Sequence, residues 1–276
     1  MKRFLKNFIK NPLNMINLII ICALIFVSFF PSVIAPYNPL EMDSRSILEP
    51  PSFTHFFGTD QFGRDVFSRS IYGIQNSMII ALSSMIISAL LGTLLGILSG
   101  YYGGWIDQVI SRIIDAFFAF PSLVLALFIV ALFGSSTFNL IIAIGIVYIP
   151  IFARTLRGAT ISIKELTFVK ASKVVGKNNF KIMWTVVFPN VSSIFIVTFT
   201  TNFSTAILTE ASLGFLGLGV PPPEPTLGGL VGQGTNFIIA APWLTLLPGL
   251  LIAVIVLSIN ILGDGLRDVL DPKFQK

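Results

Sequence analysis

Five stretches of this chain contain no Asp, Glu, Lys, Arg or His: residues 11–40, 70–106, 116–153, 182–209 and 225–263. Together they cover well over half of the 276 residues. A run of ~18 or more apolar residues reads as a membrane span, because ~20 residues at ~1.5 Å rise cross a hydrocarbon core of ~30 Å. Composition agrees: 54% of the residues are hydrophobic and 11% are charged, against roughly 25% charged in an average soluble domain. So few charges hardly cover a soluble surface, which argues against a soluble enzyme, a secreted disulfide scaffold or a disordered chain. The single cysteine, Cys22, leaves no internal disulfide framework, and the single histidine, His55, argues against a His/Cys metal cage. No metal site is expected.

The expected fold class is therefore all-α, a polytopic membrane protein with six transmembrane helices. The first span is Met15–Ala35; a basic start before an apolar run resembles a signal peptide, but its length and Pro36 behind it favour a retained span. The second lies in 78–100. Stretch 116–153 is long enough for nearly two crossings, and Gly134-Ser135-Ser136-Thr137 in its middle is a turn signal. It divides into about 116–133 and 137–153. The last two spans are about 191–211 and 244–263.

Orientation follows from Lys and Arg in the loops. With the N-terminus inside, 15 of the 18 basic residues fall on the cytoplasmic side; only Arg45, Arg64 and Arg69 fall outside. Both termini are thus expected in the cytoplasm. Topology accounts for the net charge of +5, with no nucleic-acid partner required. The chain divides into 1–77, an N-terminal span with an extracytoplasmic loop, and 78–276, a core transmembrane domain containing a cytoplasmic loop at 154–190. The glycine- and proline-rich outer segment 212–243 predicts turns and a short helix at the outer surface.

The inner loop is the most informative segment. Lys170, Lys173, Lys177 and Lys181 recur 3, 4 and 4 apart, which on a helix puts them on one face, with Phe168, Ala171 and Val175 opposite. Gly176 lets the chain turn between two short helices. Two readings stand: a basic loop lying on anionic lipid headgroups, or a docking element for a cytoplasmic partner. Elsewhere, Gly92, Gly96 and Gly100 allow close helix approach, either inside the subunit or against a second one. Glu210, near the outer end of a span, is a pathway candidate by default. Asp60, Arg64, Asp65 and Arg69 pair with one another at a helix start or contact a delivering partner.

The loop Phe168-Val169-Lys170-Ala171-Ser172-Lys173-Val174-Val175-Gly176, followed by Phe188-Pro189-Asn190, resembles the EAA loop of ATP-binding-cassette importer permeases. That pattern is Glu-Ala-Ala, three residues, Gly, then a hydrophobic residue and Pro. Ala171, Gly176 and Pro189 match; Lys170 and Ser172 replace the Glu and the second Ala. The stretches His55–Arg69, Ser212–Gly219 and Asn260–Asp268 resemble the peptide/nickel branch, so the likeness spans nearly the whole chain.

The resemblance implies the type I importer fold and a non-catalytic subunit. It also implies a set of partners: a second homologous permease, two ATPase subunits carrying ATP and Mg, an extracytoplasmic substrate-binding protein, and membrane lipid. It makes 154–190 the coupling loop. This chain itself shows no phosphate loop: Arg64-Asp65 follows Gly63 where Lys-Ser/Thr is required, and Ala171 stands at the first glycine position before Gly176-Lys177. A short chain and the Lys170-Ala171-Ser172 variation lean the substrate toward nickel or a nickel chelate; a dipeptide or oligopeptide is the alternative. A membrane-embedded hydrolase is disfavoured because the spans hold no Asp-plus-His or Ser-plus-Lys constellation. A passive channel has no use for an organised docking loop.

Overall fold

The computed structural model describes residues 12–270. Lys2, Arg3, Lys6, Lys10, Lys273 and Lys276, which weigh in the orientation argument, lie outside the described residues. All regular structure in that range is helical.

Helix α1, Pro12–Phe29, is shorter than the expected first span. Phe30 breaks it, and Pro31 begins a separate four-residue helix, α2 (Pro31–Ile34). A proline cannot donate to the preceding turn and disfavours helical backbone at the residue before it. Helix α3, Val66–Tyr102, follows the outer loop directly and runs for 37 residues. It therefore begins well ahead of the expected residue 78, and the domain boundary expected at residue 77 falls inside it. Asp65 sets its start, accepting a hydrogen bond from the Ser68 amide at 2.7 Å as the N-cap.

The expected span at 116–133 is not one straight helix. Helix α4 (Gly104–Phe118) and helix α5 (Ser122–Phe133) meet at 88°, with Pro121 at the break. Gly134, at φ +86°, ends α5. Ser136 then caps helix α6, Thr137–Lys164, by accepting from the Asn139 amide. The sequence split at Gly134 thus coincides with a helix boundary. α6 runs 11 residues beyond the expected end at Ala153, carrying Arg154 and Arg157 past the apolar stretch.

A short helix α7, Thr167–Val174, precedes the long α8, Asn179–Phe215. Residues Met183–Val187 of α8 are wound as a π-helix directly before Phe188-Pro189. Pro189 has no amide hydrogen for the preceding turn, and a π-bulge is one way a helix absorbs that loss. The outer segment holds α9, Leu227–Thr235, and α10, Trp243–Leu270, ends the described chain.

By length and hydropathy α3, α6, α8 and α10 are each able to cross a membrane, and the bent α4–α5 pair makes up to five spans; Met15–Phe29 is apolar but shorter. The expected count of six is therefore not reached among the described residues on length alone. Pro121 stands at the bend of the α4–α5 pair.

The main core lies where α3 and α6 pack side by side. Ile80, Met85, Leu140, Ile144 and Phe152 are fully buried there. Small residues permit the close approach. A Cβ on Gly92 would sit 2.5 Å from the Phe152 Cβ, one on Gly96 2.5 Å from the Ala153 carbonyl, and one on Gly100 2.8 Å from the Arg157 carbonyl. All three glycines thus face α6 of the same chain. This resolves the earlier alternative: their face is filled internally.

The short helix expected in this segment is present as α9, packed into the bundle. Leu227, Gly228, Leu230 and Gly234 are buried, and a Cβ on Gly228 would stand 2.3 Å from the Ala211 carbonyl of α8. The glycines of this segment let a short helix wedge against α8 and α10.

Candidate functional site: an anchored basic helix at the end of the bundle

Helix α7 sits at the end of α3, α6 and α8. It is fixed by one side chain: Val169 is fully buried in a cluster with Ile97, Tyr101, Leu156, Ile182 and Met183. Around that anchor, one contact ties α7 to α3, and two more tie α3 to α8 and to α6. The Lys173 ammonium lies 4.9 Å from the Tyr101 ring centre. The Tyr101 hydroxyl donates to the Asn179 Oδ1 at 2.9 Å, linking α3 to the start of α8. Lys164 Nζ donates to the Gly100 carbonyl at 2.7 Å, closing the end of α3 against the end of α6.

The helix ends in a two-bond cap. The Lys177 amide donates to the Ser172 carbonyl at 3.1 Å and the Gly176 amide to the Lys173 carbonyl at 3.0 Å. With Gly176 at φ +83°, this is the Schellman arrangement, in which a left-handed residue, usually Gly, satisfies the last carbonyls. A Cβ on Gly176 meets nothing within 4 Å. Backbone conformation, rather than space, is what requires glycine.

This cap corrects the helical pattern read from the lysines. The helix stops at Val174, so Lys177 and Lys181 do not continue its basic face. The apolar residues expected opposite the lysines are not the anchor either: Phe168 is 43% exposed and Val175 79%, and Val174 is 88% exposed. Val169 is the residue that the core receives. α7 therefore presents both charge and apolar surface outward, on a base that cannot shift freely.

Lys170, standing where the family pattern has Glu, bonds inside the loop. Its ammonium lies 3.0 Å from the Glu165 carboxylate, both groups being well exposed. The hydrogen bond and charge of Lys170, with Lys164 and Lys173 nearby, hold the Glu165 carboxyl below its ordinary range. Ala171 is exposed and Ser172 half-buried; the Ser172 hydroxyl donates to the Phe168 carbonyl at 2.9 Å. Pro189 is exposed beyond the π segment of α8.

A clamp that sequence reading missed lies behind α7. Arg157 of α6 forms a two-pronged pair with Asp107 of α4, at 2.6 and 2.7 Å. Ser99 of α3 also donates to that carboxylate, and Ser111 does so at 3.2 Å. Three helices thus converge on one acid. Bidentate Arg–carboxylate bonds are the more directional kind of ion pair. Arg154 makes a second, exposed bond to Asp115 at 2.5 Å, over the Phe118 ring. Asp107 and Arg157 are 50 residues apart, so spacing carried no sign of the pairing; their places just outside apolar stretches were the available signal.

At the opposite end of α3, the outer charges pair with one another. Arg64 Nε bonds Asp60 at 2.7 Å, Arg69 lies 3.6 Å from the same carboxylate, and His55 Nδ1 is 2.9 Å from Asp65. Arg69 also donates to the Pro39 carbonyl at 3.0 Å. The cluster fastens the outer loop over the start of α3.

Glu210 is wholly buried. The hydroxyls of Ser77 and Thr226 lie beside it, and neither carboxyl oxygen makes a hydrogen bond among the described residues. It faces packed protein in this conformation.

The arrangement defines a class of protein: a helical membrane bundle carrying a short, largely exposed basic helix, anchored by one buried valine, between two of its long helices. The comparisons with known proteins make the class specific. Residues 92–276 match the family described as binding-protein-dependent transport system inner membrane component, and residues 1–51 match the N-terminal transmembrane domain of oligopeptide transport permease C.

The chain is 44% identical to the dipeptide transport system permease protein DppC of Alkalihalophilus pseudofirmus, over 96% of this chain and 88% of that one. It is 40% identical to the di/tripeptide transport system permease protein DppC of Pseudomonas aeruginosa, over 100% and 93%. It is 41% identical to the glutathione transport system permease protein GsiD of Escherichia coli, over 99% and 90%. In fold it is similar to the inward-facing MetNI methionine ABC transporter, with a TM-score of 0.59 at 18% identity, covering 72% of this chain and 94% of that one.

The chain belongs to the binding-protein-dependent transport system inner membrane component family, the permeases of ATP-binding-cassette importers. It is a multi-pass membrane protein and a transport subunit. The lean toward nickel drawn from chain length and Lys170-Ala171-Ser172 is not supported by these relatives, whose names are of peptide and glutathione permeases.

Proposed function

We propose that this chain is one of two permease subunits forming the translocation pathway of an importer for dipeptides or other short peptides. It crosses the membrane six times with both termini in the cytoplasm, α1 and the bent α4–α5 pair supplying the spans that length alone does not. Glu210 remains a pathway candidate, one that would meet the pathway only in another conformation.

Two ATPase subunits carry ATP and Mg; an extracytoplasmic binding protein delivers substrate. One ATPase docks on α7 and the turn at Gly176. The observation that supports this most is the exposure of Val174 and Val175 on a helix whose Val169 is locked into the core. An exposed apolar pair flanked by Lys170, Lys173 and Lys177 suits a protein groove. Basic residues alone would serve for headgroups, whereas a stiff anchor is what force transmission requires: a partner shifts a conformational equilibrium only through contacts that differ between its states. When the ATPase dimer closes, α7 acts as a lever on the ends of α3, α6 and α8.

Replacing Val175 with Asp tests this reading. The subunit should insert and pair with its fellow permease, while the ATPases no longer co-purify with it. Unchanged recovery of the ATPases with the Val174→Asp, Val175→Asp double variant would overturn the docking assignment.

A further inference from the structure

Glu210 stands where three helices meet. Its side chain is wholly buried on α8, beside the hydroxyls of Ser77 on α3 and Thr226 at the start of α9. Both hydroxyl oxygens already accept a backbone hydrogen. Ser77 Oγ takes the Leu227 amide at 3.3 Å, and Thr226 Oγ1 takes the Gly229 amide at 3.2 Å as the N-cap of α9. Neither hydroxyl donates to another group among the described residues. Each has one hydrogen to give, and that hydrogen is left for the acid beside it.

The backbones come close at the same two amides. A Cβ on Gly73 of α3 would stand 3.3 Å from the Leu227 nitrogen, and one on Gly214 of α8 would stand 2.9 Å from the Gly229 nitrogen. The residues whose amides the hydroxyls accept are thus those that α3 and α8 touch. A buried polar group is costly unless its partners are in place. The acid, the two hydroxyls and the two amides therefore hold or release as a set. An apolar side chain would fill the same space without making the docking of α9 depend on that set.

We propose that Glu210 is a positioning residue: it holds the start of α9 down on α3 and α8, and so keeps the outer end of the bundle closed in this conformation. Closure of the ATPase dimer has to break the set before the outer end opens. In the parent, loaded binding protein supplies the differential contacts that make this favourable. The proposal rests on the topology and the transport reading above, which put α9 at the extracytoplasmic end.

The test uses the assembled transporter, two permeases with two ATPases in nanodiscs, and measures ATP hydrolysis with and without loaded binding protein. Glu210→Leu should raise hydrolysis in the absence of binding protein several-fold, a gain that simple misfolding does not produce. Glu210→Gln keeps the shape and an acceptor oxygen, and should stay near the parent. Ser77→Ala cuts the tie to α3 and leaves the cap of α9 in place. It should show the same gain, and it carries the test if Glu210→Leu does not assemble. With Cys22→Ser as background, since Cys22 is the chain's own thiol, Leu230→Cys on the buried face of α9 should be protected from a water-soluble maleimide. Adding Glu210→Leu should remove that protection.

Unchanged hydrolysis in an assembled Glu210→Leu or Ser77→Ala transporter would overturn the proposal. So would a gain in Glu210→Gln equal to that in Glu210→Leu, or protection of Leu230→Cys that is indifferent to Glu210→Leu. If loaded binding protein does not stimulate the parent at all, it is the transport reading that fails.

Discussion

At the residue scale, glycine at two kinds of position decides how this subunit is put together. Gly176 is required by its backbone conformation, since an L-residue in the left-handed region costs roughly 1–2 kcal/mol and a β-branched one more. Gly176→Val should therefore loosen the end of α7 without disturbing the bundle. The variant is expected in the membrane at normal level, with ATPase activity stimulated by loaded binding protein reduced several-fold. Gly176→Asn, which tolerates the left-handed region, should retain most of it. Equal stimulation in Gly176→Val and the parent would remove Gly176 from the coupling element.

Gly96 is required for space instead. Its absent side chain lets α3 approach the Ala153 carbonyl, where a Cβ would come within 2.5 Å. Overpacking such a contact costs about 1–3 kcal/mol or more. Gly96→Leu should lower both the amount of assembled transporter and its thermal midpoint, read by size-exclusion fluorescence. A variant that assembles and melts like the parent would show that α3 and α6 are less closely packed than described.

At the scale of the element, helix ends were legible wherever local chemistry sets them. Gly134 followed by Ser136 marked the boundary between α5 and α6. Asp65 before an apolar run marks the start of α3 in the same way, although the run of uncharged residues drew the expected start to residue 78. Proline effects were legible but undervalued, for Pro31 and Pro121 turn two expected spans into a short helix and a bend. The anchor of α7 was not legible. The lysine spacing suggested one basic face and Gly176 a turn between two short helices; the turn is there, but only the fold shows that Lys177 and Lys181 leave that face and that Val169 is the buried residue.

The convergence of Asp107, Arg157 and Ser99 was invisible for a related reason: pairing across 50 residues depends on where α3, α4 and α6 meet. The clamp predicts a pattern of its own. Asp107→Asn and Arg157→Gln should each reduce transport and assembly, and the exchange Asp107→Arg with Arg157→Asp should recover a substantial part. Because both groups are only partly buried, the loss should be moderate and larger at low salt. Single and exchanged variants with the same assembly and uptake would mark the pair as a bystander.

At the scale of the whole molecule, family membership and the helical fold agree with a division of labour along the bundle. One end carries a charge network that fastens the 36–65 loop over the start of α3. The other carries α7, held by a single buried valine and presenting lysines and apolar side chains outward. Between them α3 and α6 pack in close contact along Gly92, Gly96 and Gly100, the route by which the proposed push on α7 would reach the far end of α3. The charge bias of the loops is conspicuous because charge is so scarce here, and it is what the proposed orientation rests on. Substrate was not legible: the chain length and the Lys170-Ala171-Ser172 variation leaned toward nickel, whereas the relatives' names are of peptide and glutathione permeases.

The central claim is that this subunit transports only when driven through α7. Proteoliposomes containing the two permeases, the two ATPases and the binding protein test it most directly, with uptake of a labelled dipeptide as the readout. Uptake should require ATP and should vanish when the ATPases are omitted or when this subunit carries Val174→Asp and Val175→Asp. Dipeptide uptake that persists without the ATPases would contradict the account.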